Sequence, residues 1–184
     1  IALMAEAKAA GELAKAGKRP LRTIIYAAWD VEEPGLIGST EWAEDHAEEL
    51  KNNAVAYLNS DGNSRGFIRL GGSHVLERFF NQVMEDVQDP HLDVSVKERR
   101  LAYLKLHGGS GRLDLRIDPL GSGSDYTPFL QHLGIASANM GFGGEAAGGS
   151  YHTLYDTYEH HMKWSDPGLA YGVTLSQLGG RATL

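Results

Sequence analysis

Residues 23–33 read Thr-Ile-Ile-Tyr-Ala-Ala-Trp-Asp-Val-Glu-Glu and run straight into Pro34-Gly35. A β-branched and aromatic run closed by a turn signal predicts a buried strand. Two adjacent glutamates at the end of such a strand are costly to place unless something uses them. A solvated loop would use neither. A hydrolytic metal site would use both: one carboxylate binds the metal, and its neighbour takes a proton from the attacking water.

Two further segments bear on that choice. Val55-Ala56-Tyr57-Leu58-Asn59-Ser60-Asp61-Gly62 is a second apolar run that ends in an acid and a glycine. Tyr151-His152-Thr153 follows a glycine-rich stretch, with Asp156 shortly after. Glu, Asp and His are zinc-ligand types, and strand ends in open α/β sheets are where ligands collect. Glu33, Asp61 and His152 are separated by 28 and 91 residues, so any cluster is assembled by the fold. No His-Glu-x-x-His motif fixes a metal site locally.

In these segments the chain resembles the zinc-dependent M28 metallopeptidases, in their glutamate carboxypeptidase II and transferrin-receptor-like branch. The resemblance runs through Arg22–Glu33, Gly35–Ala43, Ala56–Asp61, Leu120–Asp125, Leu133–Ser137 and Tyr151–Glu159 in order, and is weakest over 89–119. It implies an α/β fold of three layers, a central mixed and mostly parallel β-sheet with helices on both faces. It implies that Glu32 is the general base, that Glu33, Asp61 and His152 are zinc ligands, and that Tyr151 donates a hydrogen bond to the oxyanion. Ser122, Gly123 and Ser124 match the loop bordering a peptide substrate.

Two departures qualify this. Family members hold two zinc ions bridged by an aspartate, and that Asp and a partner His precede the segment resembled by the first helix here. The chain begins at Ile1 inside that segment and has no histidine before His46, so three of the five expected ligands are present. The expectation is one peptidase-like domain over 1–184, lacking its N-terminal part, with at most one zinc and little activity of its own. The second departure concerns specificity. Acidic-substrate members carry arginines just after Gly-Ile-Ala-Ser, where this chain has Ala138-Asn139-Met140-Gly141-Phe142. That argues against an acidic side chain before the cleaved bond.

Composition excludes other classes. The formal net charge is −7, and no basic stripe exists to neutralise phosphates, so a nucleic-acid partner is not expected. Lys97-Glu98-Arg99-Arg100 is short and reads as a solvated face. No apolar run is long enough for a transmembrane helix, and charges throughout residues 1–20 do not suit a signal peptide. Zero cysteines exclude disulfides and Cys-ligated zinc and leave the compartment open; an extracytoplasmic or secreted parent protein is compatible with that.

Periodicity predicts helices over 1–17, 38–50, 73–88 and 126–132 and from about 165 to Gly179-Gly180, and strands over 22–29, 54–60 and 134–140. The strand–helix–strand order over 22–60 suggests a βαβ crossover. Residues 90–119 read as an irregular excursion with His91 and His107 exposed. Residues 141–149, with five glycines, read as a mobile loop beside the site. His46 reads as a packed or rim histidine. Asp125 is read as a helix cap or a site residue, and Asp156 as a partner of His152 or part of a turn. A sheet edge left open by the missing strands predicts pairing with a second copy. The expected function is a zinc-dependent exopeptidase acting on peptides. The alternatives are a non-catalytic receptor-like domain and a single-zinc enzyme like the glutaminyl cyclases.

Overall fold

A computed structural model describes residues 1–109, 111–146 and 150–184. The chain is α/β, built on a small mixed sheet. Its strands are β1 (Tyr57–Asn59), β2 (Gly66–Gly72) and β3 (Ser137–Gly144), in the order β1-β3-β2. β1 runs parallel to β3, with Leu58 opposite Ala138. β2 runs antiparallel to β3, with Leu70 opposite Met140. The one parallel and one antiparallel pairing make the sheet mixed.

Helix α1 (Ala2–Lys15) packs along the C-terminal helix α7 (Ala170–Thr183). Asp166 starts α7: its buried carboxylate accepts from the backbone N–H of Tyr171 at 3.0 Å and of Gly172 at 2.8 Å, satisfying donors that the helix cannot satisfy itself. The helix runs past Gly179-Gly180 to Thr183, because tertiary packing of Leu178 and its neighbours outweighs the propensity cost of two glycines. The 38–50 helix is two helices, α2 (Ile37–Asp45) and α3 (Ala47–Asn53), broken at His46. The His46 ring stacks on Trp42 at 4.3 Å.

Helix α4 (Glu77–Asp86) buries Phe80, Val83 and Met84, the face its sequence predicts. Helix α5 (Val96–Leu106) was not expected, since Pro90 and the glycines around it read as irregular. A capping box starts it: Glu98 N–H donates to Ser95 Oγ, and Ser95 N–H donates to the Glu98 carboxylate. The basic stretch within α5 is not a solvated face. Lys97 is buried between Glu85 and Asp114, each 2.6 Å from Nζ. Arg99 joins Asp89, Glu145 and Tyr171.

Two core clusters result. The larger lies between the sheet and helices α4, α5 and α7, around Phe80, Met84, Phe142 and Tyr171. The smaller joins Ala43, Phe129, Leu133 and Ile135, with Trp29, Trp42 and Tyr57 packed against them. It lies under the acidic segments.

The predicted strand at 22–29 is not a strand. Residues 23–29 carry no ladder, and the crossover inferred from it falls with it. A strand exists only through a partner's backbone, and none among the described residues pairs here. Residues 141–144, expected in a loop, belong to β3, because β2 pairs with them down to Gly66 opposite Gly144. Gly66 sits at φ 137°, where an added Cβ would meet Gly143 O, so glycine there is what allows the close approach. Residues 147–149 of that expected loop lie outside the described residues. Helix α6 (Tyr158–His160) continues into a π-helical turn, His161–Ser165, and leads to α7.

Candidate active site

Glu32 and Glu33 stand at the head of a tight turn before α2. Gly35 N–H and Leu36 N–H donate to Glu32 O at 3.0 and 2.7 Å, and Ile37 N–H donates to Val31 O at 3.1 Å. These bonds hold Val31 at φ 54°. A β-branched residue there costs roughly 1–2 kcal/mol, so the turn is over-determined by its surroundings. His152 is also left-handed, at φ 58°. The two strained positions flank one contact: His152 Nε2–H donates to Glu33 Oε1 at 2.8 Å, across 119 residues of sequence. Both side chains are more than half exposed, so the pair adds little stability. Its significance is placement. Two ligands on one tetrahedral zinc, each at about 2.0 Å, lie roughly 3.3 Å apart, close to this spacing.

Glu32 is half-buried beside them. Desolvation pushes its carboxyl above the usual carboxylate range, and the charges of Glu33, Asp125 and Asp61 add to that, with His152 opposing. The ring of Tyr151 stacks on His152 at 3.8 Å and is largely exposed, which leaves its phenol open to a ligand.

Asp61 follows β1 and is held by a different set. Ser124 Oγ–H lies 2.9 and 2.8 Å from its two oxygens, and Asn59 Nδ2–H donates to Oδ2 at 3.0 Å. Ser122, expected at the substrate, bonds within its own loop to Thr127 Oγ1 at 3.2 Å, and Gly123 N–H donates to the same oxygen at 3.3 Å. Both are exposed, whereas Ser124 is buried. Asp125 does not cap the following helix. It is buried with Oδ1 unpartnered, and burial pushes its carboxyl upward, Asp61 adding to the shift and Ser39 opposing it. Asp156 uses its backbone N–H to close a turn on Thr153 O at 3.2 Å.

A cavity of about 780 Å³ opens beside Asp61, between β2, β3, α5, Gly109 and residues 112–120. Asn139, Met140 and Gly141 line it, and Arg69, Arg112 and Arg116 reach it from neighbouring segments. His91 and His107 are exposed; His107 stacks on Tyr103 at 4.1 Å.

The donor types suit zinc: an imidazole nitrogen and carboxylate oxygens. The structure brings Glu33 and His152 together and keeps Glu32, Asp61 and Asp125 within electrostatic reach of one another. Among the described residues, no group of three His, Cys, Asp or Glu is placed to hold a metal ion, so Asp61 stands apart from the Glu33–His152 pair. Sequence reasoning missed the polar set behind Asp61. Its signal was present, since Tyr57, Asn59 and Asp61 alternate and so share one face of an extended segment.

The sequence model of peptidase family M28 matches residues 1–172. "Probable glutamate carboxypeptidase VP8" of Zea mays is 37% identical over 185 residues, covering all of this chain and 25% of that protein. A "Probable glutamate carboxypeptidase" of Arthroderma benhamiae is 39% identical over 178 residues, 95% of this chain and 24% of that protein. "Aminopeptidase NAALADL1" of Mus musculus is 31% identical over 184 residues, 95% and 25% respectively. The chain thus spans about a quarter of the length of the curated relatives it matches.

Proposed function

The chain belongs to peptidase family M28, and on that premise we propose that it carries the hydrolytic centre of a zinc-dependent exopeptidase of the glutamate carboxypeptidase type. The observation that carries this reading is the 2.8 Å approach of His152 Nε2 to Glu33 Oε1, with Glu32 adjacent. A non-catalytic receptor-like domain has no need of that assembly, nor of the backbone strain on either side of it.

Glu33 and His152 would hold zinc, and the family resemblance makes Asp61, which stands apart from them, a further ligand candidate. Zinc, when bound, supplies a Lewis acid and brings the pKa of a water to about 7. Glu32 takes the proton of the attacking water and returns it to the leaving amine. Desolvation and the charges of Glu33, Asp125 and Asp61 raise its proton affinity, which favours taking that proton. Tyr151 donates its phenolic hydrogen to the developing oxyanion. Ser122 and Gly123 border the peptide. The three-layer, mostly parallel sheet that the family resemblance implies would extend the three-stranded mixed sheet seen here.

Calorimetric zinc titration of the protein and of a His152→Ala variant tests the metal reading; binding that survives in the variant removes His152 as a ligand. Glu32→Gln abolishes peptide hydrolysis while zinc per chain stays unchanged. Turnover unaltered in that variant removes Glu32 as the base.

A further inference from the structure

We propose that the free edge of β2 is a docking strip for an extended peptide in which acidic and apolar residues alternate, seated in the cavity between β2, α5 and residues 112–120. The inference does not depend on the hydrolytic reading. It grows from the direction in which the backbone of β2 points.

β2 lies at the edge of the sheet. Residues of an antiparallel strand alternate between turning both backbone groups toward the partner and turning both away. Leu70 and Gly72 turn away from β3: Asp118 N–H donates to Leu70 O at 3.2 Å, and Gly72 N–H donates to Asp118 O at 2.8 Å. Alternation puts Ile68 and Gly66 on the same outer edge, and Arg99 Nη1–H donates to Gly66 O at 3.3 Å. The partner strand agrees. Phe142, opposite Ile68, donates its N–H to Asn63 Oδ1 at 2.9 Å and accepts from Ser64 N–H at 3.0 Å, so its backbone groups face away from β2.

Between these fastened ends the edge is open. Ile68 N–H, Ile68 O and Leu70 N–H have no hydrogen-bond partner among the described residues. Ile68 is 2% exposed, and buried backbone groups are nearly always paired. An open edge of this kind is a template for another strand. The segment that could have closed it is held elsewhere. Leu115 exchanges two bonds with the Asn81 side chain, each 2.8 Å, and Ile117 N–H donates to the Glu77 carboxylate at 3.1 Å. The space left is the cavity of about 780 Å³, which Ile68 and Leu70 both line.

The walls select the peptide. Successive residues of a strand face opposite sides, so an added strand continues both faces of β2. On one face Ile68 and Leu70 pack in the larger core with Leu101 and Leu104 of α5. On the other stands Arg69, which is exposed. Arg100, Arg112 and Arg116 line the same cavity, against Asp61, Asp114 and Asp118, and Asp114 is already paired with Lys97 at 2.6 Å. Arg69, Arg100 and Arg116 make no ion pair among the described residues. In a chain of net charge −7, this is a locally positive strip. Backbone pairing supplies affinity and the alternate side-chain positions supply selectivity, as in strand addition generally. Acidic side chains meet the arginines, and the apolar ones between them meet the leucines.

The test uses acetyl-Val-Glu-Val-Glu-Val-Glu-amide, whose blocked ends keep it from being an exopeptidase substrate. Its controls are acetyl-Val-Val-Val-Glu-Glu-Glu-amide, of equal composition without alternation, and the alternating peptide with proline for its two inner valines, which removes backbone donors. Affinity is read by calorimetry, and pairing by amide hydrogen exchange of Ile68 and Leu70 in nuclear magnetic resonance. The alternating peptide is expected to bind and to slow exchange of both amides by about tenfold or more at saturation. Both controls should bind at least about tenfold more weakly. Arg69→Glu combined with Arg116→Glu should weaken the alternating peptide by about tenfold or more. No binding at millimolar peptide overturns the proposal, as does binding that leaves the Ile68 and Leu70 exchange unchanged. Equal affinity of either control, or indifference to the charge reversal, overturns it too. Protection of both amides without peptide, together with a dimer in light scattering, assigns the edge to a second copy and overturns it as well. Should the double variant not fold, the exchange and the peptide comparison on the wild-type protein decide. None of these readouts requires hydrolysis or zinc, so failure of the hydrolytic reading leaves them unmoved.

Discussion

Truncating Arg99 strands a buried carboxylate. The Arg99 side chain is 10% exposed, and the Asp89 carboxylate it meets at 2.6 Å is 1% exposed. Asp89 Oδ1 also accepts from His91 N–H at 3.0 Å and Leu92 N–H at 3.1 Å, which fixes that loop before α5. The guanidinium further binds Tyr171 OH and Glu145, and lies 4.8 Å from the Phe67 ring centre. Arg99→Ala removes the only charge partner that the buried Asp89 carboxylate has among the described residues. Breaking such a pair on one side costs about 3–5 kcal/mol. The two backbone donors left on Asp89 place the expected loss at the low end, about 3 kcal/mol. With a urea dependence of about 2 kcal/mol per molar, the unfolding midpoint falls by roughly 1.5 M. Equilibrium urea denaturation followed by circular dichroism reads this directly. Arg99→Ala combined with Asp89→Asn should recover part of the loss, because the stranded charge is gone. A loss below about 1 kcal/mol in Arg99→Ala, or no recovery in the double variant, would refute the argument that Asp89 depends on this partner.

Two further outcomes follow from the same bonds. Asp125 is buried with an unpartnered oxygen, and its carboxyl is raised above its ordinary 3.8 by burial. The folded state therefore holds that proton more tightly than the unfolded chain. The stability gained is complete below pH 3.8 and is lost as pH rises through the folded pKa. Asp125→Asn should melt higher than wild type at pH 7, the gap closing at acid pH; melting curves with a gap independent of pH would contradict this. Ser95→Ala removes the side-chain half of the capping box on α5 and should cost about 1 kcal/mol in urea titration. A change within a few tenths of a kcal/mol would show the cap to be redundant.

Signals that lie within a few residues were legible without coordinates. The apolar face of α4, the Asp166-Pro167 start of the C-terminal helical region and the acidic end after Leu58 are all local, and each falls where the chain chemistry puts it. Helix α5 was missed because Pro90 and the following glycines suggested irregularity, although Ser95-x-x-Glu98 already announced it.

What the sequence could not determine is what depends on partners far along the chain. Thr23–Trp29 has every residue type a strand requires and forms no ladder among the described residues, because strand identity is conferred by a neighbour's backbone. Lys97 and Arg99 look like surface charges until carboxylates from 10 to 46 residues away close around them. The candidate residue types were determined by the sequence itself: Glu32, Glu33, Asp61 and His152 carry side chains chemically suited to hydrolysis wherever they sit. Only the tertiary structure decided their company, bringing His152 to Glu33 and assigning Asp61 to Asn59 and Ser124. Side-chain chemistry is intrinsic to a residue, whereas a distance between residues 119 positions apart is set by the packing of everything between them.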